Sequence, residues 1–525
     1  MTARSEVKRI LLLAVCLVLF FPSNQARAEP SGQKTLVIGR SADSVTLDPA
    51  LAPDRESSKV VAHIFETLVR AEDEGSRIEP GLALRWESSP DRTEWFFHLR
   101  PGVFFHDQTP FNAQAVIFSL ARQIDPSHPH HLSHSILEAG IRDNIRSVDE
   151  IDELTVRIVL ESPRGNFLSS LSSTKASIVS PTAVRQTGAA FARNPVGTGP
   201  FKFLQWQPDG TIILASHEDY WDGRANLDRI VYRTIPDNLE RHLAFQGGHI
   251  HVLDGVLPGD VPRLLRLPRT RILAHPGMNV AFMAMNVNKP PLDRVEVRRA
   301  VNHAVNKADL VKYLYQGFAD PAGTLLPPTM FGHHAQISDY AYDPQRARRL
   351  LAEVGLPDGF RTTLWVMSSA RPYLPQPVEA ARLIRAGLAE VGIEAEIKIL
   401  DWSSYLESIV TGQHDICLLG WNAQTADPYH LLETNLGPLN TQPGRATNIT
   451  FWRSDRMGAL LDKFRHDMEL PEQEALLHAI QEFVMEQAPL VPLAHAQTIL
   501  AVRDDVSGLV LQPNNLLRLH RADLD

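Results

Sequence analysis

The stretch WFFHLRPGVFFHD, residues 95–107, begins with an aromatic, β-prone run and then reaches the turn residues Arg100-Pro101-Gly102. A run of this kind bounded by Pro and Gly predicts a β-strand that ends in a tight turn. On both sides of it, short β-prone runs alternate with segments that carry apolar residues at helical spacing. Strands and helices that alternate along a chain are typical of the α/β class. We therefore expect an α/β protein.

The alternation continues into the second half of the chain. A buried strand is predicted over residues 278–287 and a helix over residues 295–305. Asp343 is a suitable N-cap for the next predicted helix, Pro344 suits its first position, and Gly355 ends it. In the same way we predict helices over residues 58–70, 380–391 and 471–487, and strands over residues 35–39, 155–160, 201–204, 211–214, 229–235, 395–400, 416–420 and 499–502.

The composition is that of a packed globular protein. Of the 525 residues, 44% are hydrophobic and 22% are charged, which excludes intrinsic disorder, a collagen-like chain and a polytopic membrane protein. A single core stops growing at roughly 250–300 residues, so two or three domains are expected. The 52 basic and 61 acidic residues give a net charge of −9. This charge and the lack of basic runs argue against nucleic acid as a partner.

The N-terminus has the features of a secretory signal peptide. Three basic residues precede an apolar run over residues 10–21, which is too short for a membrane-spanning helix of about 20 residues. The motif Ala26-Arg27-Ala28 follows, and we place cleavage after Ala28. Cys16 lies inside the apolar run, so we interpret it as part of the signal and not as a lipid anchor. Loss of residues 1–28 removes four basic residues and one acidic residue, which changes the net charge from −9 to −12.

An exported protein of this kind is expected in the periplasm of a Gram-negative bacterium. After cleavage one cysteine remains, so no internal disulfide can form. That residue, Cys417, lies between apolar neighbours, which predicts a buried and unreactive thiol.

The sequence contains no motif of catalytic chemistry. A G-x-S-x-G elbow, a phosphate-binding loop and an H-E-x-x-H helix are all missing. The motif Gly197-Thr198-Gly199-Pro200 is interpreted as a tight turn that enters a strand, because Pro200 leaves no helix start to bind a phosphate. The histidines at residues 128–134 and 333–334 lack the ligand spacing of zinc or nickel sites, which favours ordinary surface loops. We expect no enzyme activity, no bound metal and no cofactor.

Aromatic and polar residues occur together where loops are expected. Arg371 is followed by Tyr373, Trp402 begins another such group, and Trp421-Asn422 follows a predicted strand. Aromatic side chains form apolar pocket walls, and Arg binds a carboxylate through two parallel hydrogen bonds. These groups predict a ligand-binding site, although Trp421 could equally be core and Arg371 a solvated surface charge.

Further motifs, in a fixed order, resemble those of the large extracytoplasmic solute-binding proteins of ABC importers, the peptide/opine/nickel-binding family. The resemblance covers nearly all of the chain after the signal peptide. Its marks are SVTLDP at residues 44–49, FETL at 65–68, PGLA at 80–83, the stretch 95–107, PFNA at 110–113, PVGTGPF at 195–201, YW at 220–221, VRRA at 297–300 and YQG at 315–317.

Within that family the chain looks most like dipeptide-binding proteins. Those relatives bind the ligand carboxylate with an Arg that matches Arg371, and the ligand α-amino group with an Asp that follows a Gly-Trp pair. Aligned without gaps from residues 420–421, that Asp position is Gln424, which carries no charge. The missing charge would weaken the binding of an amine by about 1.5–3 kcal/mol. Either the ligand lacks a free α-amino group, or Asp427 or Asp54 replaces the missing Asp.

The resemblance implies a set of candidate ligand-binding residues. Asp427 precedes a Pro and also suits the N-cap of a helix. A disulfide that is common among dipeptide-binding relatives is absent here. The candidate residues are Asp54, Arg55, Arg371, Tyr373, Trp402, Leu419, Gly420, Trp421, Asn422, Gln424 and Asp427.

The resemblance also implies a three-part architecture. Two lobes, each with a mixed sheet and helices, are joined by a hinge that the chain crosses twice, and an extra domain is attached to the first lobe. We expect lobe I over residues 30–70, 186–275 and 498–525, the extra domain over 71–185, and lobe II over 276–497. The lobes would close on a small solute, and the closed monomer would dock on the permease subunits of an inner-membrane importer driven by a cytoplasmic ATPase.

The ligand itself is left open at this point. A short peptide or a peptide-like solute with a carboxylate is the first hypothesis. A metal chelate or haem is the second, because of the histidine groups. A periplasmic hydrolase is the third, and no nucleophile–base arrangement supports it.

Overall fold

The computed structural model of the chain describes residues 32–72, 77–137, 139–423, 425–465 and 470–525. The predicted signal peptide, residues 1–28, and the candidate residue Gln424 therefore lie outside the described residues. The architecture below concerns the unit Lys34–Asp525.

The strands are numbered along the chain. They are β1 (Thr35–Arg40), β2 (Val69–Ala71), β3 (Ile78–Pro80), β4 (Ala83–Ser88), β5 (Glu94–Leu99), β6 (Ile145–Asp152), β7 (Thr155–Leu160), β8 (Phe201–Gln207), β9 (Thr211–Ser216), β10 (Arg229–Thr234), β11 (Val252–Asp254), β12 (Thr270–Pro276), β13 (Asn279–Met285), β14 (Ala319–Pro321), β15 (Phe360–Met367), β16 (Ile393–Leu400), β17 (Ile416–Asn422), β18 (Leu490–Arg503), β19 (Val506–Ser507), β20 (Val510–Leu511), β21 (Leu517–Arg518) and β22 (Asp523–Leu524).

The α-helices are numbered in the same way. They are α1 (Arg55–Ile64), α2 (Ala113–Ile124), α3 (Ala139–Arg142), α4 (Phe167–Leu171), α5 (Pro181–Thr187), α6 (Asn238–Gln246), α7 (Val261–Leu264), α8 (Val295–Ala304), α9 (Lys307–Tyr315), α10 (Pro344–Glu353), α11 (Pro377–Glu390), α12 (Trp402–Val410), α13 (Pro428–Leu436), α14 (Asp455–Arg465) and α15 (Leu470–Gln487).

One long strand, β18, connects two halves of a large mixed sheet. The order of strands along the sheet is β16-β15-β17-β13-β18-β11-β1-β10-β9-β8, with β12 and β14 also paired to β18. Residues 490–496 of β18 pair with β13 and β14, and residues 497–503 pair with β11 and β12. We call β1 and β8–β12 the first sheet half and β13–β17 the second sheet half. The chain passes between the halves twice, at residues 277–278 and within β18.

A separate antiparallel sheet is formed by the segment that contains the stretch 95–107. Its strand order is β4-β5-β7-β6. In β5 the burial alternates along the strand, with Trp95, Phe97 and Leu99 buried. These side chains belong to an apolar cluster drawn from residues between Leu68 and Ile178. The aromatic run therefore forms one wall of a core that is distinct from the cores of the large sheet.

The large sheet has its own buried clusters. The second sheet half and its helices enclose an extensive cluster made from residues between Met278 and Ala496. The first sheet half packs on a cluster that joins residues near the N-terminus of the unit to Leu500, Val502 and the C-terminal segment. Separate packing of the two halves leaves the space between them free for a cavity.

Most of the predicted elements are confirmed, and two of them differ most from their predicted bounds. The helix predicted over residues 58–70 begins earlier, at Arg55, and ends at Ile64. It ends there because the backbone of Gly197 and Gly199 packs against its last turn, so closely that an added Cβ on Gly197 would lie 2.1 Å from the Ile64 carbonyl oxygen. The same contact explains the glycines of the predicted turn at residues 197–200, which leads into β8.

The strand predicted over residues 499–502 is also much longer in the structure. It is β18, with 14 residues. Pro492 lies within it, and a Pro argues against a central strand because it cannot donate a hydrogen bond to a neighbouring strand. A sheet tolerates Pro at an irregularity in the pairing. The register between β13 and β18 shifts between Ala281 and Phe282, and Phe282 faces Pro492.

Other predictions are confirmed in detail. Asp343 caps α10 by accepting a hydrogen bond from the backbone N–H of Arg346, with Pro344 at the first position. Cys417 is fully buried, and burial raises the pKa of its thiol. Within the described residues, no helix is both long and apolar enough to cross a membrane.

Candidate functional site

A cavity of about 310 Å³ lies where the two sheet halves meet. Its walls come from the loops that follow β1, β11, β15 and β17, from the start of α1 and α6, from the middle of β18 and from a C-terminal loop. Pockets for small molecules have volumes of roughly 300–1,000 Å³, so this cavity is at the small end of that range. Its polar and charged lining residues include Ser41, Arg55, Asn238, Arg241, Asp254, Asn279, Arg371, Asn422, Gln497, Thr498, Asn514 and Asn515.

Arg371 is held in the cavity wall by a tight turn. The loop after β15 folds back at residues 371–374, where the Arg371 N–H donates to the Leu374 carbonyl at 3.0 Å and the Leu374 N–H donates back at 2.9 Å. The guanidinium lies 3.5 Å from the centroid of the Trp402 ring. Its Nε atom is buried and has no hydrogen-bond partner among the described residues. Burial lowers the pKa of Arg371, with the Tyr373 hydroxyl opposing the shift.

Trp402 stacks against the guanidinium of Arg371 and does not itself line the cavity. It is the first residue of α12, which Asp401 caps by accepting hydrogen bonds from the N–H groups of Ser403 and Ser404. One turn further, Tyr405 donates its hydroxyl hydrogen bond to the carbonyl of Leu418 in β17. The Arg–Trp stack is therefore anchored to the second sheet half, and a stacked cation of this kind keeps its planar face fixed and its N–H edge available.

Tyr373 has a structural position beneath the cavity. It is buried, and its carbonyl accepts a 2.6 Å hydrogen bond from the hydroxyl of Tyr315. Its ring packs on Gly420 so closely that an added Cβ there would lie 2.3 Å from Tyr373 Cδ2. Gly420 and its neighbour Leu419 lie within β17 and do not line the cavity.

The end of β17 brings Asn422 to the cavity. Asn422 pairs with Asn279 at the start of β13, and both residues line the cavity. Trp421 packs edge-on against His430 at 5.4 Å instead, and its indole N–H is buried without a hydrogen-bond partner among the described residues. Of the predicted pair Trp421-Asn422, the structure thus brings only Asn422 to the cavity wall.

Asp427 and Asp54 are both engaged as helix caps. Asp427 caps α13 by accepting a hydrogen bond from the Tyr429 N–H, and it also accepts one of 2.8 Å from the side chain of Asn166. Asp54 caps α1 and accepts hydrogen bonds from both the N–H and the hydroxyl of Ser57. Neither carboxylate lines the cavity, and the candidate Gln424 lies outside the described residues.

The first sheet half contributes residues that the sequence did not indicate, apart from Arg55. Arg55, at the start of α1, donates to the carbonyl of Asn514. Arg241, in α6, lies in the same wall. Asp254 ends β11 and is paired with the ammonium of Lys59. A three-residue strand such as β11 has no detectable periodicity, and only the folded sheet brings Asp254 to the site.

The histidine groups of the sequence lie away from this cavity. His128 packs edge-on against Phe118 at 4.9 Å, and Nδ1 of His333 donates to the Leu326 carbonyl at 2.7 Å. The residues that the structure describes contain no group of three or more His, Cys, Asp or Glu side chains that could hold a metal ion.

The comparisons with known proteins agree with this architecture. Residues 77–443 match the family described as "Bacterial extracellular solute-binding proteins, family 5 Middle". The chain belongs to this family. It is a solute-binding protein of the type that serves ABC importers, and its fold class is confirmed.

Three relatives illustrate the range of the family. "Heme-binding protein A" from Haemophilus influenzae is 33% identical over 93% of this chain and 92% of that protein. "Dipeptide-binding protein" from Escherichia coli is 34% identical over 86% of this chain and 87% of that protein. The solved structure of the "ABC transporter-associated periplasmic binding protein DppA from Helicobacter pylori in complex with peptide STSA" is 34% identical, with a TM-score of 0.79, and covers 93% of this chain and 98% of that one.

Proposed function

We propose that this chain is the periplasmic capture component of an ABC importer for a short peptide or a peptide-like solute that bears a carboxylate. The observation that carries the proposal is Arg371. Its guanidinium lines the cavity, lies on the Trp402 ring and makes no salt bridge with the described residues. A half-buried cation whose buried Nε lacks an acceptor is costly unless a ligand supplies one.

The amide groups of the cavity support a peptide-like ligand. Asn422 and Asn515 line the cavity, and side-chain amides of this kind can donate to and accept from the backbone groups of a peptide. A cavity of about 310 Å³ accommodates a solute of a few residues.

Binding and closure are one event in this proposal. Arg55 and Arg241 lie in helices that pack on the first sheet half. Arg371 lies in a loop of the second sheet half, and Asn422 ends its strand β17. A solute that contacts both groups stabilises the arrangement in which the halves are close, because only that arrangement provides every contact. The two crossings, at residues 277–278 and in β18, are then the hinge.

We propose the same domain division as the sequence indicated. Lobe I comprises residues 30–70, 186–275 and 498–525, the extra domain 71–185 and lobe II 276–497. Three separate apolar clusters support this division into three parts, although the lobe I cluster also takes in Phe118, Val179, Ala183 and Val184, and the extra-domain cluster takes in Leu68 and Val69. Cleavage after Ala28, docking of a monomer on membrane permease subunits, and energy supply by a cytoplasmic ATPase complete the proposal. The relatives are solute-binding proteins, and we propose that this chain likewise has no enzyme activity.

A haem or metal-chelate ligand is the second candidate, because one relative is named a haem-binding protein. The described residues that line the cavity include neither His nor Cys, the usual ligands of a haem iron or a soft metal. The cavity is also small for a large planar ligand. We therefore favour the peptide-like solute.

Native mass spectrometry of freshly purified protein tests the proposal, because solutes in closed cavities co-purify. We expect an added mass of a short peptide or peptide-like acid, which Arg371→Ala loses and which Arg361→Ala retains. Arg361 is a matched control because it lies in β15, the strand before the Arg371 loop, is 87% exposed and is paired with Glu394. If the protein purifies empty, calorimetry against a dipeptide library replaces the mass measurement. A haem or chelate mass, a solute retained by Arg371→Ala, or no binding at all would contradict the proposal.

A further inference from the structure

The charged side chains of the cavity wall are strongly unbalanced. Three guanidinium groups, those of Arg55, Arg241 and Arg371, line it, and Asp254 is the single carboxylate among the described lining residues. A cavity that excludes water strengthens the field of every such charge. The sign of the field therefore bears on the charge of the solute.

The carboxylate of Asp254 already forms a salt bridge with Lys59. The ammonium of Lys59 contacts Asp254 and also lies 2.7 Å from Glu56 Oε1. The side chains of Lys59 and Asp254 are 7% and 8% exposed, so this pair is screened little by solvent. Asp254 therefore divides its charge between Lys59 and the arginines on the cavity side.

Two of the lining arginines, Arg55 and Arg241, donate hydrogen bonds to neutral oxygen atoms. Arg55 donates to the carbonyl of Asn514, and Arg241 donates to the carbonyl of Ile235 at 2.7 Å and to Asn238 Oδ1 at 2.9 Å. Within the described part of the chain, none of the three lining arginines forms a salt bridge. Burial lowers the pKa of all three arginines, and nearby carboxylates oppose the shift at Arg55 and Arg241 but not at Arg371. The folded protein thus places three guanidinium groups at the cavity, none of which contacts a carboxylate among the described residues.

These cations also lie on the two opposite walls. Arg371 is carried by the second sheet half, and Arg55 and Arg241 by the first. Resting on the function proposed above, we infer that the solute carries two anionic groups, one bound by Arg371 and the other directed to Arg55 under the field of Arg241. The class is a dicarboxylate, either an acidic short peptide or a non-peptide diacid. A solute charged at both ends would also link the two halves, which explains why each half contributes a cation.

Two isosteric pairs of probes test this inference by calorimetry. Ala-Glu and Ala-Gln differ by one charge, and so do glutarate and its monoamide. We expect Ala-Glu to bind at least about tenfold more tightly than Ala-Gln, which corresponds to about 1.4 kcal/mol. Arg55→Gln should remove most of this preference, because it weakens Ala-Glu more than Ala-Gln, whereas Arg371→Ala should weaken both peptides.

Two further variants keep the test interpretable. Arg55→Lys preserves the charge and should preserve the preference, which covers the case in which Arg55→Gln does not fold. Arg361→Gln, at an exposed site, should leave both affinities unchanged.

The outcomes separate this inference from the proposed function. Equal binding of Ala-Glu and Ala-Gln would overturn the dianion and leave the peptide ligand standing. A preference that persists in Arg55→Gln would overturn the role of Arg55. Binding of glutarate with neither peptide would support the dianion and contradict the peptide ligand. Failure of all four probes to bind would overturn the inference.

Discussion

Replacing Arg371 by Ala is expected to weaken solute binding without affecting the fold. Arg371 lies 3.5 Å from the Trp402 ring, and its buried Nε has no acceptor within the described structure. A hydrogen bond to a charged group contributes about 1.5–3 kcal/mol. With about 1.4 kcal/mol per tenfold change, Arg371→Ala should raise the Kd for Ala-Gln by roughly 10–100-fold. Isothermal titration calorimetry of both proteins measures this ratio directly.

Two companion variants define the cause of that loss. Arg371→Lys retains a positive charge but not the planar fork that binds a carboxylate through two hydrogen bonds, so it should recover only part of the affinity. Arg361→Ala removes an exposed Arg from β15, the strand before the Arg371 loop, and should leave the Kd unchanged. Thermal unfolding should show similar midpoints for all three variants. If Arg371→Ala binds within twofold of the unsubstituted protein, the carboxylate-anchor role of Arg371 is wrong.

Three further predictions follow from neighbouring contacts and from a buried histidine. Trp402→Ala removes the ring beneath Arg371 and should weaken Ala-Gln by about 0.5–2 kcal/mol in calorimetry, less than Arg371→Ala does; an equal or larger loss would contradict the supporting role. Gly420→Ala places a Cβ 2.3 Å from Tyr373 Cδ2, so we expect the free energy of unfolding in urea to fall by about 1–3 kcal/mol, and an unchanged value would refute the packing argument. Burial lowers the pKa of His63 from 6.5 to about 4, so the unfolded chain binds a proton that the folded one refuses; stability should fall by up to about 3 kcal/mol as pH decreases from 6.5 to 4, and His63→Leu should show a shallower pH dependence.

Local signals were sufficient to predict most of the fold. Asp343 and Pro344 define the start of α10 because capping depends only on adjacent residues. The end of α1 at Ile64 could not be predicted, because Gly197 and Gly199, far along the chain, block the next helical turn. The length of β18 was missed because Pro492 interrupts the strand pattern, and only pairing with β13 reveals that it is tolerated.

The sequence indicated more of the cavity residues on the second sheet half than on the first. Asn422 follows a predicted strand, and loops after strands commonly carry binding residues, whereas Arg371 was indicated by its neighbour Tyr373 and by the family resemblance. Arg241 and Asp254 occupy a helix and a three-residue strand whose local sequence marks no function, and the tertiary fold brings them to the cavity. Asp427 and Asp54 illustrate the reverse case, because each side chain accepts the hydrogen bonds of a helix N-terminus.

A crystal structure of the protein with its co-purified solute is the most direct test of the central claim. The account predicts solute density between the two sheet halves, with a carboxylate oxygen within about 3 Å of the Arg371 guanidinium and further contacts from the wall that contains Arg55. A solute bound elsewhere, or a solute in this cavity whose carboxylate points away from Arg371, would contradict it.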